Sequence, residues 1–182
     1  MEFTETSLTG AFLVGLSKIT DDRGFFARAW CKDEFAKHGL NPNMMQLNTA
    51  FSHKKATLRG LHYQEAPHAE AKFVRCTKGA IFDVIVDLRD GSPTKGQWFG
   101  AELTADNGRM MYAPEGFAHG YETLTDDAEM YYLTSASYAA TAARGIRYDD
   151  PAFGIVWPLP IAVVSEADTK WADYQGGGLQ ER

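Results

Sequence analysis

Only two cysteines, Cys31 and Cys76, occur in 182 residues. That is too few for a secreted disulfide framework, and neither has a histidine partner in a nucleophile signature, so both are expected to be buried free thiols. No stretch approaches ~18 unbroken apolar residues, and the polar, acidic start MEFTETSLTG lacks the basic and apolar regions of a secretory signal. A soluble, cytoplasmic protein without membrane contact is therefore expected. Basic residues are in deficit, 18 Lys and Arg against 24 Asp and Glu, for a net charge of −6. Nucleic acid requires a basic face, which these scattered cations do not supply. An anionic ligand would need its cations gathered locally. Repeats, low-complexity blocks and domain boundaries are also missing. One domain over residues 1–182 is expected, with a flexible C-terminal tail from about 175 that frays at Gly176-Gly177-Gly178.

What is present favours strands. Aromatics make up 13% of the chain and glycines number 17, with little helical periodicity. AFLVGLSKITDDRGFFARAW alternates loosely and breaks at Asp21-Asp22-Arg23-Gly24, which suits two early strands joined by a turn. One helix is expected over Lys32 to His38, with acids in its first turn and Gly39 at its end. Lys72 to Thr77 then precedes a Lys78-Gly79 turn. Ala80 to Leu88 follows, with Phe82, Val84, Val86 and Leu88 on one face and Asp83 and Asp87 on the other. Further strands are expected over Trp98 to Leu103, Arg109 to Ala113, Ala118 to Leu124 and Glu129 to Ser135. Many short strands with frequent turns describe an all-β barrel or jelly roll.

The most specific local feature runs from Gly108 to His119, where Pro114-Glu115-Gly116 makes a tight turn and a histidine follows three residues later. This spacing resembles the second motif of the cupin superfamily, whose fold is a jelly roll or double-stranded β-helix, here with short peripheral helices. The first cupin motif supplies two histidines one residue apart. The corresponding segment is Gly60-Leu61-His62-Tyr63-Gln64, with Gln64 at the second histidine position. A three-histidine, one-carboxylate metal site cannot be assembled from this set, so no metal is expected and His62 and His119 are free for other chemistry.

Over nearly the whole chain a closer resemblance emerges. Asp22-Arg23-Gly24-Phe25-Phe26, Leu58 to Gln64, Lys72-Phe73-Val74-Arg75, Asp83 to Arg89, Ser92-Pro93-Thr94, Pro114 to Gly120, Gly145 to Pro151 and Ile155 to Pro158 are similar to the dTDP-4-dehydrorhamnose 3,5-epimerase family. The resemblance implies a cofactor-independent epimerase of a nucleotide-activated 4-keto-6-deoxy sugar, most closely dTDP-4-dehydro-6-deoxy-D-glucose, turned into dTDP-4-dehydro-L-rhamnose. A proton leaves the carbon beside the ketone and another returns from the opposite face. By the same resemblance His62 is the base, Asp168 orients its imidazole, Lys72 stabilises the enolate and Tyr132 is the acid. Period two sends Tyr131 to the other face, where ordinary packing is expected. Arg23, Arg59, Gln46, Asn48, His119 and Tyr138 match substrate-binding positions. Tyr138 stacks on the base, and the arginines face the nucleotide and its diphosphate. A homodimer whose N-terminal strands add to the partner's sheet, serving the synthesis of lipopolysaccharide, O-antigen or capsule, is also implied. His38, His53 and His68 match no functional position and are expected to face solvent.

Three positions depart from the family's pattern. Arg28 stands where a glutamate is usual, Ala143 where an acid is, and Ala167 where a lysine is; the stretch from Gln46 to Arg59 is also one residue longer. These departures lie outside His62, Lys72 and Tyr132, and bear on the nucleotide and sugar rather than on the reaction. The runner-up is the same chemistry, or inversion at one carbon, on a GDP- or CDP-linked sugar. A metal-dependent cupin lacks its ligands, and a binder without catalysis would be expected to have lost the base or the acid.

Overall fold

A computed structural model describes residues 1–175; the glycine tail expected to fray lies outside the described residues. In chain order the elements are β1 (Glu2–Glu5), β2 (Phe12–Gly15), β3 (Ile19–Asp21), β4 (Gly24–Phe26), α1 (Lys32–Lys37), β5 (Gln46–Ser52), β6 (Thr57–Gln64) and β7 (Lys72–Lys78). Then come β8 (Ala80–Asp87), β9 (Trp98–Thr104), β10 (Met110–Ala113), β11 (Phe117–Thr123), β12 (Ala128–Thr134), β13 (Ala143–Gly145) and β14 (Val163–Val164). One sheet has the order β1-β2-β10-β7-β12-β5. The other is β13-β6-β11-β8-β9, with β14 parallel to β6. The all-β cupin jelly roll is the observed fold. Among the described residues α1 is the one α-helix, at the place expected over Lys32 to His38; it has Asp33 and Glu34 in its first turn and buries Phe35.

Three apolar clusters hold these layers. Between the sheets lie Val74, Cys76, Ile81, Ile85, Leu103, Met111, Phe117 and Met130. Behind the first sheet, Phe35 of α1 meets Phe73 and Tyr112 edge-on at 4.9 and 5.7 Å between ring centres. Behind the second sheet, the chain after β13 brings Ile146 and Phe153 onto Leu61, Val84 and Val86. Strand β8 is thus covered on both faces. Its aspartates share the inner face with Ile81 and Ile85, where a two-sided alternation suggests a wet face. The two cysteines are free as expected, Cys76 fully buried and Cys31 only partly so. Burial pushes the Cys76 thiol up to about 11.

Glu122 on β11 is fully buried; the Leu159 N–H donates to its Oε2 at 3.3 Å, and its Oε1 has no hydrogen-bond partner. Burial pushes its carboxyl above the usual range, against the pull of the Leu159 N–H. A native state that keeps this proton longer than the unfolded chain loses stability as pH rises from the ordinary glutamate value, about 4.3, through the folded midpoint. Glu122→Gln should therefore raise the melting temperature near pH 7 and change it little below about pH 4. Equal shifts at both pH values would show that the carboxyl gives up its proton as easily in the fold as outside it.

Candidate active site

One backbone irregularity shapes the site. On β6 and β11, His62 pairs with His119, but Arg59 pairs with Tyr121, so three steps of β6 run against two of β11. Such a bulge needs close backbone approach. Gly60, at φ +116, supplies it: a Cβ there would stand 2.6 Å from the Gly120 Cα and 2.8 Å from the His119 carbonyl oxygen. Residues three apart on a regular strand face opposite ways. The extra residue lets Arg59 and His62 line one cleft together.

That cleft, about 580 Å³, is lined by Arg59, His62, Lys72, His119, Tyr121, Tyr132, Ala167 and Asp168. A second hollow of about 460 Å³ shares His62, Lys72 and Tyr132 and adds Gln46, Asn48, Glu70, Tyr138 and Ala143. Register explains the sharing. On the inner face of the first sheet Thr134 lies between Gln46 and Lys72, and Tyr132 between Asn48 and Val74. His62 and His119 come from the second sheet, so the cleft is faced by an imidazole on one side and by a phenol and an ammonium on the other.

The His62 Nε2 lies 2.6 Å from Asp168 Oδ1, and the Gly60 N–H donates to Asp168 Oδ2 at 3.5 Å. Burial raises the Asp168 carboxyl, but its contacts with His62, Ser165 and Gly60 outweigh burial and hold it below the usual carboxylate range. A bound anion thus fixes the ring. Burial and the Glu70 charge push the Tyr132 phenol above its usual range, against the pull of Arg59, so the hydroxyl keeps its proton at neutral pH. Lys72 donates to the His62 carbonyl oxygen at 2.8 Å and pairs with Glu70 at 3.2 Å. His119 Nε2 contacts the fully buried Asp83 at 2.7 Å. Gln64 is also buried: its Nε2 reaches Glu70 at 2.9 Å and the His68 carbonyl at 3.0 Å, and its Oε1 accepts from the Ala139 N–H at 2.6 Å. Among the described residues no group of three His, Cys, Asp or Glu side chains is placed to hold a metal ion.

The fold thus gathers His62, Lys72, Tyr132, Asp168, Arg59, His119, Gln46, Asn48 and Tyr138 around one connected space. It does not bring Arg23 there. That side chain is 90% exposed on the turn between β3 and β4 and pairs with Asp21. Arg28, also outside, pairs with Glu34 at 3.3 Å. Tyr131 is on the outer face, as period two requires, but it is 42% exposed rather than packed, a correction to its expected role. His38, His53 and His68 are exposed. Sequence reasoning missed Glu70 and Tyr121 as cleft residues and Asp83 as the partner of His119. For Asp83 a signal was present, an acid alternating with Ile81 and Ile85; for Glu70, in the loop before β7, there was none.

A family model described as dTDP-4-dehydrorhamnose 3,5-epimerase matches residues 5–175. A protein of that name from Sinorhizobium fredii is 43% identical over 170 residues, 93% of this chain and 87% of the relative. The crystal structure of the Bacillus anthracis enzyme of the same name, with TDP and PPi bound, superposes with a TM-score of 0.91 at 37% identity, covering 95% of this chain and 99% of that one. A dTDP-6-deoxy-D-glucose-3,5-epimerase from Legionella pneumophila, in complex with dTDP-4-keto-L-rhamnose, gives 0.86 at 35% identity over 92% of this chain and 89% of the other. Similarity at this level across almost the full length of each partner leaves one conclusion: the chain belongs to the dTDP-4-dehydrorhamnose 3,5-epimerase family.

Proposed function

We propose that this protein is a 3,5-epimerase of a dTDP-linked 4-keto-6-deoxy sugar, converting dTDP-4-dehydro-6-deoxy-D-glucose to dTDP-4-dehydro-L-rhamnose. The observation that carries the reading is the placement of an anchored histidine and a protonated tyrosine on opposite sheets across one cleft. His62, held by Asp168, takes the proton from a carbon beside the ketone, and the C–H pair forms the enolate with its charge on the keto oxygen. Lys72 stabilises that oxygen. The Tyr132 hydroxyl then gives its proton to the other face and regains one from solvent. Both ring carbons that flank the ketone can pass through the same steps in turn. No hydride or electron leaves the sugar, so no redox cofactor enters the balance. Arg59, with Gln46, Asn48, His119 and Tyr138, would hold the nucleotide diphosphate and the sugar hydroxyls.

Turnover in deuterium oxide should label the sugar carbons beside the ketone, and product without label would remove the enolate mechanism. His62→Asn should abolish that exchange while leaving TDP binding within a few-fold, as for a residue acting mainly in the transition state. Unchanged exchange would assign the base elsewhere. Tyr132→Phe should still wash label in, while net inversion falls by ~100 to ~10,000-fold, the usual contribution of a general acid. Tyr131→Phe is the outer-face control. If it is the variant that loses inversion, the acid has been misassigned.

The finer reading is a cytoplasmic homodimer that supplies deoxysugar for lipopolysaccharide, O-antigen or capsule. In the dimer, N-terminal strands would cover the partner's sheet. Ile19, Phe25 and Phe26 on the β3–β4 hairpin and Leu47 and Phe51 on the edge strand β5 are exposed apolar side chains that such a contact would bury. Arg23 would then reach the neighbouring copy's nucleotide. Sedimentation should show a dimer, and Phe26→Asp should shift it towards monomer; a wild-type monomer at micromolar concentration would overturn this arrangement.

A further inference from the structure

Lys72 and Glu70 are a deeply placed pair of opposite charges, with side chains only 9% and 10% exposed. Two of the three ammonium donors are accounted for. One goes to the His62 carbonyl oxygen at 2.8 Å and one to Glu70 Oε1 at 3.2 Å, which leaves a third for a substrate oxygen. Glu70 is in turn held through its other oxygen, since Gln64 Nε2 donates to Oε2 at 2.9 Å. The same Gln64 amide binds the His68 carbonyl and the Ala139 N–H, so the loop before β7 and the loop after Tyr138 are tied to one buried side chain. A buried ammonium without a nearby anion sheds its proton, because water no longer stabilises its charge.

We propose that Glu70, clamped by Gln64, is a positioning residue that keeps Lys72 charged and aimed at the cleft. The inference rests on the reading of Lys72 as the group that stabilises the enolate. Burial pulls the Lys72 ammonium below the usual lysine range, and the Glu70 carboxylate, by charge and by hydrogen bond, opposes that pull, with a smaller contribution from Asp83. The other titratable or charged groups of the two hollows are Arg59, His62 and Tyr63 on β6, His119 and Tyr121 on β11, Tyr132 on β12, and Tyr138, Arg144 and Asp168 beyond it. Asp168 is engaged by His62, Asp83 by His119 and Arg144 by Glu65, at 2.6, 2.7 and 2.8 Å. Among the described residues Glu70 is thus the one carboxylate of the site whose bonded cation is Lys72. Gln64, at the position where metal-binding relatives of the fold carry a second histidine, here serves the lysine by holding its counter-charge.

The test is the charge of Lys72 in wild type and in Glu70→Gln, an isosteric change that keeps an amide against Gln64. In protein labelled with ¹⁵N-lysine, the Nζ titration of Lys72 should fall by about one to three pH units in Glu70→Gln, the usual effect of removing an adjacent opposite charge. An unmoved midpoint overturns the proposal whether or not the protein turns over. In parallel, the alkaline limb of kcat/KM should move down by the same interval, with KM for the sugar nucleotide and TDP binding little changed near pH 7. A loss of activity equal at every pH, with the two profiles parallel, would make Glu70 merely structural and also overturns it. If the titration moves but deuterium wash-in is absent in wild type or insensitive to it, the pairing stands and the enolate role of Lys72 falls. Should Glu70→Gln fail to fold by thermal melting, Glu70→Asp keeps the charge and withdraws it. The midpoint should then still fall, and an unchanged value overturns the proposal.

Discussion

The site depends on the close passage of two backbones, Gly60 past Gly120. Neither strand can carry a side chain there: a Cβ on Gly120 would stand 2.7 Å from the Arg59 carbonyl oxygen, and one on Gly60 closer still to Gly120 itself. The contact forces the extra residue of β6 into the ladder, and that residue alone turns Arg59 and His62 towards the same space. Without it, either the cation or the base would face the outer layer where Leu61 packs against Ile146. A bulge near an active site is here the device that makes an odd spacing behave as an even one.

Electrostatic balance follows from where the strands then place their charges. The cleft takes in two histidines, a lysine and an arginine, and the fold pairs both histidines and the lysine with acids from three different elements. Asp168 follows β14, Asp83 lies on β8 and Glu70 precedes β7. Arg59 is held differently, its guanidinium donating to the Ser52 hydroxyl at 3.2 Å and the Phe51 carbonyl at 3.1 Å. Neutral acceptors fix its direction while leaving its charge uncompensated. Such a cation at the rim suits an incoming diphosphate, whereas the compensated ammonium of Lys72 deeper in suits chemistry that must not be quenched by desolvation.

Much of this was legible in the sequence, for identifiable reasons. On β12 alternate side chains enter the cleft or point away from it, so Tyr131 and Tyr132 separate as period two demands. Turns at Pro114-Glu115-Gly116 and Asp21 to Gly24 are local chemistry and were readable as such. What failed to show has a common cause. The outer face of β8 is covered by chain some sixty residues later, Glu70 is aimed by a glutamine six residues earlier, and Tyr131 is exposed because nothing in one chain covers it. Each is a tertiary fact that strand periodicity does not encode. Arg23 belongs with them, since its motif is plain while its side chain lies exposed outside the cleft.

The last segment of the chain shows why the anchoring acid lies so late in sequence. Gly145 on β13 sits opposite His62, and a Cβ there would stand 2.3 Å from the Trp171 ring. Trp171 therefore packs closely over the strand next to His62. Three residues before it, Asp168 reaches His62; three residues after it, the Tyr174 N–H donates to the buried Asp150 at 2.7 Å. The segment is fastened on both sides of the tryptophan. A carboxylate on a loose tail would exchange its bond to His62 for water, as exposed ion pairs do at little cost. Fastened in this way it stays buried and ionised, and the imidazole it orients, the proposed base, is already in place before any substrate arrives.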